Sequence, residues 1–416
     1  MPIFQSADEI CSFFLIIPPG CENLALKELQ AVAKKENVTL QKPKEEFGGI
    51  SFESSFEFGL KLNLQLKIPS RILLRLTEFS SRDTVKFYNK LKKFDWRKLI
   101  PHGPIRWNIS AAKSRLMVER KLEETCGYAY KEYCEGFPEK KAVDGFSPEV
   151  FIRLFEDQCT VSLDTSGERL HKRGYRTNVS HAPLRETLAA ILWKYLKGSD
   201  SLQEPVTLID PMAGSGTLLF EALFENLTLH MRGFAYEHFT NCPEKLKAHN
   251  WKTLVDAGWP TGIQSLKAYD RDPKMKETFQ ANLQEIQKYF ERLKKAKIPG
   301  SVETLTLLNE RISFEQKDLF ESSSEISSER RWVLCNPPYG ERLEAEPENS
   351  RYFAKLLGQI EKNYSPERIG ILLPERSETH QLSDPKTWSS TDWKVVTKVK
   401  LKNGGIPILF YRFDRP

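Results

Sequence analysis

Arg331-Trp332-Val333-Leu334-Cys335-Asn336-Pro337-Pro338-Tyr339-Gly340 reads as a short apolar strand that breaks off at two consecutive prolines, with an amide just before them and an aromatic ring just after. Proline lacks the amide hydrogen and holds φ at about −65°, so neither Pro337 nor Pro338 continues a parallel ladder. The chain must leave the sheet at Asn336, at the carboxyl end of the strand, which is where open α/β sheets bind ligands. An Asn-Pro pair by itself is more often an ordinary turn. The surrounding sequence has to decide between the two.

Working outward, strand and helix alternate across the whole C-terminal half. Leu184, Leu188, Ile191 and Tyr195 recur at helical spacing after Pro183, a residue suited to a first helical turn. Val206 to Ile209 is a strand, and after Asp210 the chain turns through Pro211-Met212-Ala213-Gly214-Ser215-Gly216-Thr217 into the helix Leu218 to Phe224. Ser265 to Tyr269 is a strand ending in Asp270-Arg271-Asp272, followed by a helix with Met275, Phe279, Leu283, Ile286, Phe290 and Leu293 on one face. Ile312 to Gln316 leads to Asp318-Leu319, and Tyr352 to Ile360 is helical. Ile369 to Leu373, Trp393 to Val399 and Ile406 to Phe413 are the closing strands. The pattern predicts a doubly wound, largely parallel sheet with an antiparallel closing strand.

Polar residues then mark successive strand ends: Asp210, Asp270 or Asp272, Asp318, and Asn336. The glycines after Asp210 let the backbone approach a ligand closely. That loop lacks the Lys-Ser/Thr pair of a phosphate-binding P-loop, which weighs against nucleotide hydrolysis. An acid at its start would repel a pyrophosphate and suits a ligand with an amino group. A carboxylate at the second strand end can accept from both hydroxyls of a ribose, and Asp318 can accept from an adenine amino group. Singly each is a plausible turn residue; four in succession are hard to explain that way.

The N-terminal half differs in character. Ser12 to Pro18, Gly48 to Glu53, Arg71 to Phe79, Ile105 to Ser110, Glu149 to Phe155 and Gln158 to Asp164 read as strands, with helices at Glu22 to Lys34, Phe56 to Leu66 and Leu116 to Glu132. This suggests small α+β layers. Residues 61–121 hold 16 Lys and Arg against Glu78, Asp83, Asp95 and Glu119, whereas residues 181–416 hold 33 basic and 32 acidic side chains. A basic half beside a neutral one is expected when one part holds a polyanion and the other performs chemistry. The basic, aromatic segment Leu170-His171-Lys172-Arg173-Gly174-Tyr175-Arg176 is either a packed linker or a nucleic-acid contact.

No run approaches the ~20 apolar residues of a membrane span, and the polar, acidic N-terminus is not a secretory signal. Seven cysteines without any Cys-x-x-Cys pair argue against a disulfide framework and a zinc site, so a cytoplasmic protein is expected. Residues 226–262 form a long insertion in which His238, Cys242 and His249 have no ligand-like spacing, and no metal is expected.

Asp210-Pro211-Met212-Ala213-Gly214-Ser215-Gly216-Thr217 and Asn336-Pro337-Pro338-Tyr339 resemble the cofactor and catalytic motifs of S-adenosylmethionine-dependent amino-methyltransferases. Asn336 to Leu343, His181 to Leu188, Leu170 to Arg176, and Pro18 to Glu22 with its following helix are similar to the THUMP-domain RNA guanine-N2 methyltransferases of the UPF0020 family. The resemblance covers nearly the whole chain and is nearest to the bacterial branch acting on 23S ribosomal RNA. In some bacteria that activity is fused to a second methyltransferase domain, for which this chain is too short.

The resemblance implies a Rossmann-like methyltransferase domain over residues 181–416, preceded by a ferredoxin-like region at 1–70 and a THUMP RNA-binding domain at 71–176. It implies S-adenosyl-L-methionine as cofactor, held by Pro183, Arg185, Glu186, Asp210, Pro211, Ala213, Gly214, Gly216, Thr217, Asp270, Arg271, Asp272, Asp318 and Leu319. The catalytic residues would be Asn336, Pro337, Pro338 and Tyr339. RNA is the expected partner, rRNA before tRNA, and the enzyme is expected to be a monomer. Asn336-Pro337-Pro338-Tyr339 is shared with DNA and protein-glutamine methyltransferases, so the motif alone specifies a planar nitrogen and not guanine. A DNA adenine methyltransferase and a non-catalytic RNA-binding factor are the rival classes.

Overall fold

The computed structural model describes residues 7–46, 48–101, 103–135, 145–176, 184–321, 328–338, 350–389 and 392–415. These form two compact units, one from residues up to 18, 22–170 and 232–254, the other from 19–21, 171–231 and 255–416.

The first unit contains β1 (Ile10–Ile16), α1 (Glu22–Lys35), β2 (Gln41–Glu46), β3 (Gly49–Ser55), α2 (Phe56–Gln65), β4 (Arg71–Ser80), α3 (Thr84–Lys92), β5 (Arg106–Ala112), α4 (Glu119–Glu135), β6 (Glu149–Phe155) and β7 (Gln158–Asp164). They build one seven-stranded sheet in the order β2-β3-β1-β4-β7-β6-β5. Every pairing is antiparallel except β5 with β6. The boundary expected at residues 70/71 falls between α2 and β4, and the sheet runs across it: β4 pairs with β1 on one side and β7 on the other. The β6–β7 turn places Glu156 and Asp157 both at positive φ, the backbone that a two-residue hairpin needs to match strand twist.

Two elements of this unit lack a clear sequence signal. β2 is Gln-Lys-Pro-Lys-Glu-Glu, exposed along five of its six residues, with a register shift between Gln41 and Lys44. Pro and Lys on an irregular edge strand block pairing with another chain, and they also erase the apolar alternation by which strands are read. α3 buries only Phe87 and Leu91, and begins where Asp83 accepts from the Lys86 amide at 2.7 Å.

Residues 232–254, inside the segment expected to form the methyltransferase domain, belong to the first unit. The Tyr236 amide donates to the Thr165 carbonyl at 3.1 Å, the Thr240 amide to that of Leu99 at 2.9 Å, and the Arg232 guanidinium to that of Ser166 at 3.2 Å. In the same segment His238 stacks on Phe146, His249 bonds Glu244 at 2.8 Å, and the Cys242 thiol is buried, each with its own partner. Among the described residues no His/Cys/Asp/Glu group could hold a metal, and no helix is long and apolar enough to cross a membrane.

The second unit contains α5 (Glu186–Lys197), β8 (Val206–Asp210), α6 (Thr217–Leu223), β9 (Ile263–Asp270), α7 (Pro273–Lys295), α8 (Ser301–Arg311), β10 (Ile312–Gln316), β11 (Arg331–Cys335), α9 (Ser350–Tyr364), β12 (Arg368–Pro374), α10 (Ser377–Gln381), β13 (Lys394–Asn403) and β14 (Ile406–Asp414). The sheet order is β10-β9-β8-β11-β12-β14-β13. The first five strands are parallel, and β14 and β13 close the sheet antiparallel. β8 and β11 are buried along their whole length, as strands covered on both faces must be. Val333 and Cys335 face a cluster with Phe353, Leu356, Leu357 and Ile360 of α9. On the other face, a Cβ on Gly370 would come within about 3 Å of Leu334, Leu196 and Phe410, so glycine lets these side chains meet.

The winding runs from β8 outward to β9 and β10, then returns to place β11 on the other side of β8. The strand ends therefore stand in space as Asp318, Asp270, Asp210, Asn336. Asn336, last in the chain, is next to the first acid, across the point where the winding reverses.

Leu334 lies on this central strand with no exposed surface. Leu334→Ala is expected to lower the unfolding free energy of this unit by about 2–5 kcal/mol, read as a lower urea midpoint; a shift under 1 kcal/mol would contradict the packing described.

Candidate functional site

The loop after β8 is shaped by backbone hydrogen bonds and two glycines. Asp210 accepts from the Met212 amide at 3.1 Å, and the Ala213 amide donates to the Tyr269 carbonyl of β9 at 2.8 Å. Gly214 and Gly216 take φ of 50° and 82°. A Cβ on Gly216 would lie 2.6 Å from the Phe279 ring and 2.7 Å from Phe220, so only glycine lets the loop settle on α7. The Asn282 amide of α7 donates to the Ser215 carbonyl at 3.0 Å.

The second strand end is tied to this loop directly. Asp270 accepts from the Gly214 amide at 2.8 Å and from the Asp272 amide at 2.9 Å. Asp272 caps α7, accepting from the Lys274 amide at 2.9 Å ahead of Pro273 at the first helical position. The Lys317 amide donates to the Asp270 carbonyl at 2.9 Å, bringing Asp318 alongside. Asp318 accepts from the Phe320 amide at 2.8 Å, while Asn363 of α9 donates to the Leu319 carbonyl.

These ends surround a cavity of about 500 Å³, a volume suited to a small-molecule ligand. Of the residues singled out from sequence, Asp210, Pro211, Ala213, Gly214, Thr217, Asp270, Arg271, Asp272, Asp318, Leu319, Asn336 and Pro338 line it. Gly216 and Pro337 support the wall without lining it; Arg185 is exposed at the start of α5 and Glu186 is buried there. Pro183, Tyr339 and residues 340–343, like the serine-rich stretch 322–327, lie outside the described residues. Leu184, Met212, Ser215, Leu218, Met275, Lys317, Phe320 and Tyr352 also line the cavity. Ser215 was legible within the glycine loop. Met275 and Tyr352 read as ordinary members of helical apolar stripes, and nothing local distinguishes them from core.

Electrostatics set the character of the site. Burial pushes the Asp210 carboxyl well above the usual range, with the Asp270 charge adding to the shift; burial likewise raises Asp270, against the pull of its two amide donors. The side-chain oxygen of Asn336 is buried with no hydrogen-bond partner among the described residues. Such an orphaned acceptor beside a cavity is a place for a ligand's donor.

The segment Leu170 to Arg176 is packed where its charges lie. Arg173 and Tyr175 are buried, Arg173 pairing with the fully buried Glu221 of α6 at 3.1 Å and Tyr175 meeting the Phe220 ring edge-on. Lys172 is exposed.

A doubly wound sheet with a glycine loop, adjoining acids and an Asn-Pro-Pro break around one switch-point cavity has the Rossmann-like methyltransferase architecture. Residues 173–403 match the RMKL-like methyltransferase domain, UPF0020, and the chain belongs to that family. It is similar to ribosomal RNA large subunit methyltransferase K/L of Syntrophotalea carbinolica, 28% identical over 427 residues that cover 98% of this chain and 54% of that protein. It is also similar to the putative RNA methyltransferase slr0064 of Synechocystis, 22% identical, covering 97% of this chain and 96% of that one. The chain spans about half the length of the K/L relatives it matches. The crystal structure of SMU.472, a putative methyltransferase complexed with SAH, shares the fold with TM-score 0.72 and 23% identity over 98% of this chain and 99% of that one.

Gly216→Ala forces a side chain into the left-handed region against Phe279. It is expected to cost at least about 1–2 kcal/mol, measured as a lower urea midpoint; an unchanged midpoint would contradict the loop geometry.

Proposed function

We propose that this chain methylates the exocyclic N2 amine of a guanine in 23S ribosomal RNA, using S-adenosyl-L-methionine. The carrying observation is the buried, unpartnered Asn336 side-chain oxygen at the carboxyl end of β11, beside the loop that follows β8. A guanine amine presents two hydrogens, and its lone pair is delocalised into the ring. The Asn336 oxygen and the Pro337 carbonyl accept those hydrogens, which draws the nitrogen toward tetrahedral geometry and frees its lone pair. Tyr339 stacks on the base once it is taken out of its RNA context.

The residues lining the cavity fit the cofactor, which supplies an electrophilic methyl group on a sulfonium. Asp270, held rigid by two amide donors, retains lone pairs for both ribose hydroxyls, whereas Asp272 already caps α7. Asp318 accepts from the adenine amino group, and Met275, Leu319 and Phe320 offer apolar surface to the ring. Asp210 accepts from the ammonium of the methionine end. Positioning then supplies most of what the chain contributes to the transfer.

The basic stretch from Lys61 to Lys121 supports RNA as the polyanion held, and the rRNA methyltransferase relatives support ribosomal RNA. Residues 71–176, within the first unit, are the expected RNA-binding part. All seven cysteines are unpaired, which fits a reducing cytoplasm.

Asn336→Ala is expected to abolish methyl transfer while leaving cofactor affinity within about twofold of the parent; normal turnover would sink the catalytic assignment. Asp318→Ala should weaken S-adenosylmethionine binding about tenfold by isothermal titration. Because burial raises the Asp210 pKa and a cationic ligand favours its ionised form, binding should release a proton and strengthen as pH rises through that raised value. Titrations in buffers of different ionisation enthalpy read the proton directly, and Asp210→Asn should remove it. Mass spectrometry of nucleosides from the rRNA and tRNA of a deletion strain tests the substrate: loss of N2-methylguanosine from 23S rRNA is expected. Loss from tRNA, or of N6-methyladenine from DNA, would redirect the assignment.

A further inference from the structure

We propose that Arg176 sets the polarity of a hydroxyl relay, through Thr217 to Ser215, that turns the Ser215 O–H into the cavity as a donor for the carboxylate of the cofactor's amino-acid end. This rests on the reading of the cavity as the S-adenosylmethionine site and adds Ser215 as a binding residue and Arg176 as a positioning residue.

The cavity poses a charge problem. Four carboxylates line it, Asp210, Asp270, Asp272 and Asp318, and they suit the ammonium, ribose and adenine groups. The amino-acid end of the cofactor also carries a carboxylate, which needs donors on the glycine-loop side.

Arg176 lies behind that loop and does not line the cavity. Its Nη2 is 2.6 Å from Thr217 Oγ1 and 3.0 Å from the Leu184 carbonyl, and its Nε is 3.5 Å from the Glu186 carboxylate. A guanidinium only donates and stays protonated. Thr217 Oγ1 therefore accepts from Arg176, and its own single proton must go elsewhere. The one other described side chain within reach is Ser215, with Oγ to Oγ1 3.0 Å. Thr217 donates to Ser215, so Ser215 Oγ is an acceptor in that bond. The Ser215 proton then has no acceptor among the described residues, and Ser215 lines the cavity.

Without Arg176 the Ser215–Thr217 bond could run in either direction. With it, the direction is set by a group that cannot reverse. The ion pair with the nearly buried Glu186 and the bond to the Leu184 carbonyl hold the guanidinium in place, its side chain 14% exposed. A relay that begins on a charged donor is also more polarised than a neutral pair.

The test compares two ligands by calorimetry on the full chain: S-adenosylhomocysteine, and 5′-methylthioadenosine, which lacks the amino-acid end. Ser215→Ala, Thr217→Val and Arg176→Gln are each expected to weaken S-adenosylhomocysteine roughly ten- to a hundredfold, the worth of a hydrogen bond to a charged group. Each should leave methylthioadenosine binding unchanged. Thr217→Ser, which keeps the hydroxyl, should restore parental affinity, and the Arg176→Gln/Ser215→Ala double variant should bind no more weakly than Ser215→Ala alone. Parental affinity for S-adenosylhomocysteine in Ser215→Ala, or equal loss for both ligands in Arg176→Gln, overturns the relay. If the parent chain binds neither ligand, the cofactor reading itself fails along with it.

Discussion

The Gly214 amide gives its hydrogen to the Asp270 carboxylate across the ends of two neighbouring parallel strands, at 2.8 Å. That bond decides the shape of the site. It draws the glycine loop over the mouth of the sheet, fixes the carboxylate at the next strand end, and keeps both facing one cavity. It forms because Gly214 takes a positive φ that turns its N–H back toward β9, while the missing Cβ of Gly216 lets the same loop rest on Phe279. The Ala213 amide bonds the Tyr269 carbonyl in parallel with it, so the loop is tied to β9 at two points.

Around this clamp the sheet leaves little choice about where chemistry can occur. β8 and β11 are covered on both faces, so only their carboxyl ends reach ligand. Reversal of the winding at β8 puts Asn336 beside Asp210, and brings an amide acceptor to a row of carboxylates. Acids crowded in a buried cavity hold their protons more tightly, as Asp210 and Asp270 do. They are ready to accept from cationic and hydroxyl groups, and the anionic end of such a ligand must be met by neutral donors such as Ser215.

Much of this was legible beforehand because it follows from local chemistry. The β6–β7 hairpin, β10, the long amphipathic α7 and the break at Asn336 all lie where periodicity and proline place them. β2 was not legible, since an edge strand of Lys, Pro and Glu has no face to bury. Nor was α3, which rests on two buried side chains and a cap. Arg173 and Tyr175 could be read as a basic, aromatic contact surface or as a packed segment, and only the buried Glu221 opposite them settles which.

The sequence by itself determined that strand ends carry Asp210, Asp270, Asp318 and Asn336, and that glycines follow the first, because side-chain type and backbone permission belong to each residue alone. Tertiary structure decided which of those ends are neighbours, since strand order depends on the crossovers that carry the chain over the sheet. It assigned residues 232–254 to the first unit, through hydrogen bonds to Thr165, Leu99 and Ser166 that join residues far apart in the chain. It also set Arg176 behind Thr217, a relation between an arginine and a hydroxyl 41 residues apart that no periodicity encodes.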